Sequence, residues 1–328
     1  MNYRKLGKTG LKISEISLGT WQVGGKWGSG FDDNKADEII NTAIDQGVNF
    51  IDTADVYEEG LSEKAVGRVV RSRSEEIYVA TKCGRQINPH VNENYTPEVL
   101  TKFVEDSLKR TGLDRLDLVQ LHCPPTDVYY RPEIFETFDR LRDQGKVRNL
   151  GVSVEKIEEA IKAMEFSNVA TVQIIFNLFR QRPSELFFEE AKKKDVGVIA
   201  RVPLASGLLT GKFDSNSHFD KEDHRNFNRN GEAFDKGETF AGVDFEQGLK
   251  AVDELKALFP DVKNLAPVAL QWILQFEEIS CIIPGASKKD HLLSNTSVYD
   301  LPPLSAEKIE KMNSIYEKYI KPEVHQRW

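Results

Sequence analysis

Short runs of β-branched and aliphatic residues alternate along this chain with longer stretches whose apolar positions recur at helical spacing. The short runs are Ile16–Gly19, Val48–Asp52, Ile77–Lys82, Leu116–His122, Val147–Ser153, Thr171–Phe176, Gly197–Val202 and Ile279–Pro284. Strands separated by amphipathic helices argue for βα units and a parallel sheet. The helix signals are local as well as periodic. Thr96-Pro97-Glu98 reads as an N-cap, a proline at the first helical position and an early acid, followed by the apolar face Leu100, Phe103, Val104 and Leu108. Ser305 is placed to cap a last helix with the face Ile309, Met312, Tyr316 and Tyr319. Eight strand runs favour an α/β fold of the (β/α)8, or TIM, barrel type over an open doubly wound sheet. The GxGxxG turn that an open dinucleotide-binding sheet would carry after its first strand is missing. Asn2–Ile13, with Gly7 and Gly10, reads as a β-hairpin positioned to cover the open bottom of such a barrel. No repeat or low-complexity linker divides residues 1–328, so one domain is expected. The rhythm breaks once, from Phe213 to about Phe245, a long Asp/Asn/Gly/Phe-rich loop after strand seven. That is the barrel face where active sites sit, and loops of this length are often functional lids.

Composition narrows the class. The chain has 328 residues, and its 52 Asp and Glu outnumber its 44 Lys and Arg. No basic stripe with interleaved aromatics is present, which argues against nucleic-acid binding. No run approaches the ~18 apolar residues of a membrane span, and the start, MNYRKLGKTG, does not read as a signal peptide. Three cysteines, Cys83, Cys123 and Cys281, form no disulfide framework, and a reducing cytoplasm is the simplest setting.

The candidate chemistry lies at the C-terminal ends of the strand runs. Asp52 ends the second run with Tyr57 just beyond, Lys82 ends the third, and His122 ends the fourth. Singly, each has a structural explanation. Asp52 suits a helix cap, Tyr57 packing, Lys82 a snorkelling barrel-end lysine, and His122 a hydrogen-bonded structural histidine. Four converging on one rim suggest proton donation to a carbonyl. A tyrosine with a pKa of about 10 is a weak acid-base group near neutrality, and a lysine ammonium beside it would lower that value. Asp52 would keep Lys82 charged and fixed, and His122 would orient the carbonyl oxygen. No side chain supplies hydride, so a nicotinamide cofactor is required.

Several motifs carry a resemblance. Tyr3-Arg4-Lys5-Leu6-Gly7, Gly19-Thr20-Trp21, Phe50-Ile51-Asp52-Thr53-Ala54-Asp55-Val56-Tyr57, Thr81-Lys82, Leu121-His122 and Gly151-Val152-Ser153 together resemble the aldo-keto reductase family over nearly the whole chain. The wording is most similar to its bacterial general-stress and inositol-cluster branch. The resemblance implies a catalytic tetrad of Asp52, Tyr57, Lys82 and His122 with the tyrosine as proton donor, and NADPH as cofactor. It implies that Ser153 and Gln173 meet the nicotinamide carboxamide. It likewise sets the segment Arg201 to Lys212, with Pro203, Leu204, Ser206 and Gly207, along the nicotinamide and phosphates. Gly285, Ser287, Lys288, His291 and Asn295 would take the adenosine end, where a glycine turn into a helix N-terminus suits a phosphate. Gly19, Thr20 and Trp21 complete the expected cofactor contacts. Ser287 as a plain helix cap and Lys288 as a solvated charge are the structural alternatives.

Three positions depart from the family pattern. Val154 replaces a common asparagine, Arg201 a tyrosine that stacks on the nicotinamide, and His291 an arginine or glutamine at the adenosine. Trp21, Trp27, Val56, Tyr57, His122 and Arg225 are the candidates for contact with a small aldehyde, ketone or sugar, and Phe227 and Phe234 for covering it. Cys83 and Cys123 are expected to turn away from the barrel interior as structural thiols. No metal site is expected, because His218 and His224 fall in a flexible acidic loop without zinc-ligand spacing. Two other functions remain open. One is a Schiff-base aldolase, which needs a neutral Lys82. The other is a non-catalytic NADPH sensor of the kind that potassium-channel β subunits, which resemble this family, represent.

Overall fold

A computed structural model describes residues 1–25 and 30–328. An antiparallel hairpin, β1 (Tyr3–Lys5) and β2 (Lys12–Ser14), precedes a sheet of eight parallel strands. These are β3 (Leu18–Gly19), β4 (Phe50–Asp52), β5 (Tyr78–Cys83), β6 (Leu116–His122), β7 (Val147–Ser153), β8 (Val169–Ile175), β9 (Gly197–Arg201) and β10 (Ile279–Ile282). They are hydrogen-bonded in sequence order from β3 to β10. Parallel bridges Ile16–Ile282 and Gly19–Gly285 join the first strand's segment to the last, closing the barrel. The predicted first run is thus longer than the strand, because Ile16 bridges to β10 as an isolated pair. The predicted sixth run is displaced, and β8 starts at Val169.

The helices between the strands are α1 (Asp33–Asp45), α2 (Leu61–Ser72), α3 (Pro97–Thr111), α4 (Pro132–Asp143), α5 (Ile157–Ala163) and α6 (Phe187–Lys193). They continue with α7 (His224–Phe227), α8 (Phe245–Leu258), α9 (Ala266–Leu274), α10 (Lys289–Thr296), α11 (Ala306–Ile315) and α12 (Lys321–Val324). Helix α3 starts as its sequence predicts, with Thr96 accepting from Val99 N and Pro97 in the first turn. Ser305 caps α11 through Lys308 N. That helix is shorter than its predicted face, because the backbone widens to a π turn over Tyr316–Ile320.

Two apolar layers hold the barrel. Outward-facing strand residues such as Val119, Val152 and Val172 pack under the helices with Leu100, Phe135 and Phe187. The interior is filled from below, where Leu6, Leu11 and Ile13 of the hairpin meet Phe50, Ala80, Leu118 and Ile199. The hairpin is therefore the barrel's floor, and the opposite rim is left to carry polar groups.

Candidate active site

At the C-terminal rim the chain adopts conformations that no regular element needs. Glu58 and Glu59, directly after Tyr57, have φ of 47° and 53°. Cys123 after His122 has φ 47°, and the β-branched Val202 after Arg201 has φ 51°. Left-handed non-glycine residues cost of order 1–3 kcal/mol each and persist where the surroundings over-determine them. Here they aim the strand-end side chains at a cavity of about 690 Å³.

The structure brings Asp52, Tyr57, Lys82 and His122 together at this cavity. Lys82 is 1% exposed, so it does not snorkel. Its Nζ donates to Asp52 Oδ1 at 2.5 Å, to the Thr53 carbonyl at 2.8 Å and to Tyr57 Oη at 3.2 Å. The other Asp52 oxygen accepts from the amides of Gln120 (3.1 Å) and Gln173 (2.8 Å). A carboxylate only accepts, so both amides present nitrogen to it. The Tyr57 and His122 rings meet edge to face at 6.1 Å.

Electrostatics assigns protonation states. Burial alone would lower the Lys82 pKa, but Asp52 and Tyr57 outweigh it and hold the ammonium above its ordinary value. A charged lysine is a poor Schiff-base nucleophile, which counts against the aldolase chemistry. Burial pushes the Tyr57 phenol up, and the Lys82 ammonium opposes that without reversing it. The lowered phenol expected from the sequence is thereby corrected, since desolvation of a phenolate is the larger effect. Burial, then the charges of Arg85, Lys82 and Arg201, hold His122 well below its ordinary value, so its imidazole is neutral. Among the described residues its buried Nδ1 has no hydrogen-bond partner that would fix the ring tautomer.

Most residues expected to touch a cofactor do line the cavity. Gly19, Thr20, Trp21 and Asp52 form one wall, Ser153, Gln173 and Arg201 another. Pro203, Leu204, Ser206, Gly207 and Lys212 continue from it, and Gly285, Lys288, His291 and Asn295 close the far end. Ser287 is not itself among these lining residues, and its hydroxyl lies 3.3 Å from Nδ1 of His291, which is. Nor does it cap α10, whose N-cap position is Lys288. Burial, then Lys288 and Lys212, depress the His291 pKa, so three basic groups converge at this end. Lys288 is 57% exposed, with Asp290 4.0 Å away.

Of the substrate candidates, Trp21, Val56, Tyr57, His122 and Arg225 line the cavity, and Trp27 lies outside the described residues. Arg225 is committed to Asp223, with Nη2–Oδ2 at 2.5 Å, and stacks 4.6 Å from the Phe219 ring. Phe234 lines the cavity, whereas Phe227 packs behind it, edge-on at 6.1 Å. His224 does not sit in a loose loop. It is 4% exposed, and its ring lies 4.9 Å from that of Trp21.

Sequence reasoning missed a cluster of charges beside His122. Arg201 pairs with Glu155 (3.1 Å) and with Glu238 of the long loop (2.5 Å), and Arg85 stands 4.0 Å from Glu155. Burial raises both carboxyls. It brings Glu155, with Glu238 alongside, up to about 7, while the guanidinia outweigh it and hold Glu238 low. Cys123, Glu155 and Glu238 bring one ligand atom each within 4.8 Å of one another, but both carboxylates are already paired with Arg201. Burial pushes the Cys123 thiol far up, as for an inert cysteine. Arg85, Glu155 and Glu238 lie outside the long helices and the strands, with no periodicity to expose them and no distinctive residues beside them in the sequence.

Comparison with known proteins agrees with this architecture. The model of the aldo/keto reductase family matches residues 15–317. The chain is 31% identical to aldo-keto reductase YhdN of Bacillus subtilis, covering 98% of this chain and 95% of that one. It is 26% identical to a probable voltage-gated potassium channel subunit beta of Oryza sativa, over 97% of each. Among solved structures it is similar to the glycerol dehydrogenase AKR11B4 of Gluconobacter oxydans, with a TM-score of 0.77, 30% identity, and coverage of 100% of this chain and 97% of that one. The chain belongs to the aldo/keto reductase family of oxidoreductases.

Proposed function

We propose that this chain uses NADPH, in the cytoplasm, to reduce the carbonyl of a small aldehyde, ketone or sugar to an alcohol, with Tyr57 as proton donor. The observation that carries this is the buried series Asp52–Lys82–Tyr57, ending in a phenol at the cavity wall. Tyr57 stays protonated at neutral pH because burial raises its pKa, so it is available as an acid. Transfer of its proton to the carbonyl oxygen leaves a phenolate, which the Lys82 ammonium 3.2 Å away stabilises. Asp52 keeps that ammonium charged and aimed. His122, neutral, donates one N–H to the same oxygen and orients it.

The donor set fits a nicotinamide dinucleotide. Gln173 spends its amide nitrogen on Asp52, which leaves its carbonyl oxygen, with the Ser153 hydroxyl, to meet a carboxamide. Lys212, Lys288 and His291 suit phosphates at the other end, and an exposed Lys288 favours NADPH over NADH. Arg201, Pro203, Leu204, Ser206 and Gly207 would line the path between them. A bound reduced nicotinamide supplies the hydride that no side chain offers.

The test is oxidation of NADPH and of NADH against a panel of aldehydes, ketones and sugars, with Tyr57→Phe alongside. The variant is expected to retain NADPH binding, followed by fluorescence, and to lose about 10²–10⁴-fold in kcat/KM. A loss below tenfold removes Tyr57 from the role. The likeness to the channel subunit favours a second reading, a nucleotide-binding protein without turnover. NADPH binding with no carbonyl reduced across the panel would establish that reading instead.

A further inference from the structure

Arg85 enters the cavity from the turn after β5, away from the β7–β10 ends proposed to hold the nucleotide. The turn is pinned on both sides. Gly84 O accepts from Tyr95 Oη at 3.2 Å, and the Gln86 amide donates to Asp55 O at 2.8 Å. Arg201 takes both nearby carboxylates within hydrogen-bond reach, Glu155 at 3.1 Å and Glu238 at 2.5 Å. Arg85 is left with Glu155 at 4.0 Å, beyond hydrogen-bond distance, and its side chain is 24% exposed. Among the described residues its five N–H donors meet no acceptor. A run of ring contacts links it to the reacting phenol. Its Cζ lies 5.7 Å from the Phe234 ring, Phe234 lies 6.4 Å from Trp21, and Trp21 lies 6.3 Å from Tyr57.

A guanidinium held by a fixed turn, open to the cavity and without hydrogen-bonded partners, is suited to bidentate capture of an anion. We infer that Arg85 sets substrate choice by gripping a carboxylate or phosphate carried by the carbonyl compound. The inference rests on the proposed carbonyl reduction and names its substrate class. Phe234 and Trp21 then flank the stretch between the anion and the reacting carbonyl. On a chain of net charge −8, this site would be a local positive point in a negative field, so anion capture depends on contact at Arg85.

The experiment pairs charge with its absence. kcat/KM is measured with NADPH for 4-formylbenzoate against its methyl ester, for wild type, Arg85→Gln and Arg85→Lys, with melting temperatures to confirm folding. Wild type should favour the carboxylate at least about tenfold, as a hydrogen-bonded charge allows. That ratio should collapse in Arg85→Gln, chiefly through KM, and recover only in part in Arg85→Lys, which keeps the charge without the fork. Calorimetry with benzoate and with phenyl phosphate, neither of which has a reducible carbonyl, reads the anion site independently and separates the two anions. Binding of one of them to wild type and not to Arg85→Gln supports the site even where no aldehyde is reduced, an outcome in which the reductase reading alone fails. Reduction of both aldehydes with no charge preference, or an equal loss for both in Arg85→Gln, overturns the role of Arg85 and leaves the reductase standing.

Discussion

His224 shows how one buried side chain couples the rim to pH. Burial brings its pKa down to about 4, with Asp223 opposing and Arg225 adding to the fall. Unfolded, the imidazole titrates near 6.5. Between those values the unfolded chain binds a proton that the folded chain refuses. Its contribution to stability is therefore complete above pH ~6.5 and is lost as the pH falls towards 4. Replacing His224 with Gln removes that dependence. The difference in unfolding free energy between variant and wild type, from urea titrations, should shift in the variant's favour from pH 7 to pH 4.5 by about 2 kcal/mol. A pH-independent difference would show that His224 does not titrate in this way. The same residue marks the limit of what the sequence discloses. Asp52, Lys82 and His122, each explicable singly, stood out because they converge with Tyr57 on one rim at the ends of successive apolar runs. His224 opens the short helix α7, Glu238 ends a single 3-10 turn, Arg85 and Glu155 sit in turns, and each meets a group far along the chain, so no local pattern pointed to them. The state of Tyr57 was misjudged for a related reason. The sequence named the ammonium beside it but not the burial that outweighs it.

The long connection from β9 to α8 is the element whose sequence was least informative. Its composition suggested a mobile lid, yet its second half is tied down by polar side chains of the connection itself and by Trp328 from the far end of the chain. Asn228 Oδ1 accepts from Ala233 N and Phe234 N, and Ser206 Oγ bridges Glu238 O and Phe240 N at 3.1 Å each. Trp328 Nε1 donates to Asp235 at 2.8 Å, while its ring lies 3.7 Å from the Arg180 guanidinium and fills the space beside Gly242. Residues 214–222 carry few such ties, and most of them are exposed. Limited proteolysis of the wild type should therefore cut within 214–222 or 229–233 and spare 234–243. Trp328→Ala should open 234–243 to cleavage and cost about 3 kcal/mol of stability, in the range for a buried tryptophan. An unchanged cleavage map would mean that the ion pair of Glu238 with Arg201 suffices to hold the segment. Helices with regular faces, such as α3, were legible to within a residue or two because capping and periodicity agree there.

On the scale of the molecule, the barrel separates stability from chemistry by putting them at opposite ends. The alternation of strand and helix patterns disclosed this architecture, since parallel strands covered by helices read as apolar runs. The closed barrel was expected from the count of eight strand runs, but the contacts that close it were not, because they are single bridges between Ile16 and Ile282 and between Gly19 and Gly285, far apart in sequence. The floor depends on a similar long-range fit. Gly7 has φ 47°, and a Cβ there would lie 2.1 Å from Gly197 N and 2.7 Å from Asp195 O, both backbone atoms at the start of β9. Neither can give way without moving the strand, and Lys8 N is already bonded to the same Asp195 carbonyl at 2.7 Å. Gly7→Ala should therefore destabilise the fold by roughly 3 kcal/mol, through a disfavoured conformation and a displaced hairpin together. The cavity lies beyond the full length of the strands, so kcat/KM per folded molecule should stay within about twofold of wild type well below the melting temperature. Denaturant midpoints and active-site-normalised rates test both halves. A midpoint near that of wild type would show that the hairpin relaxes freely. A parallel fall in kcat/KM would show that strain at the floor reaches the rim.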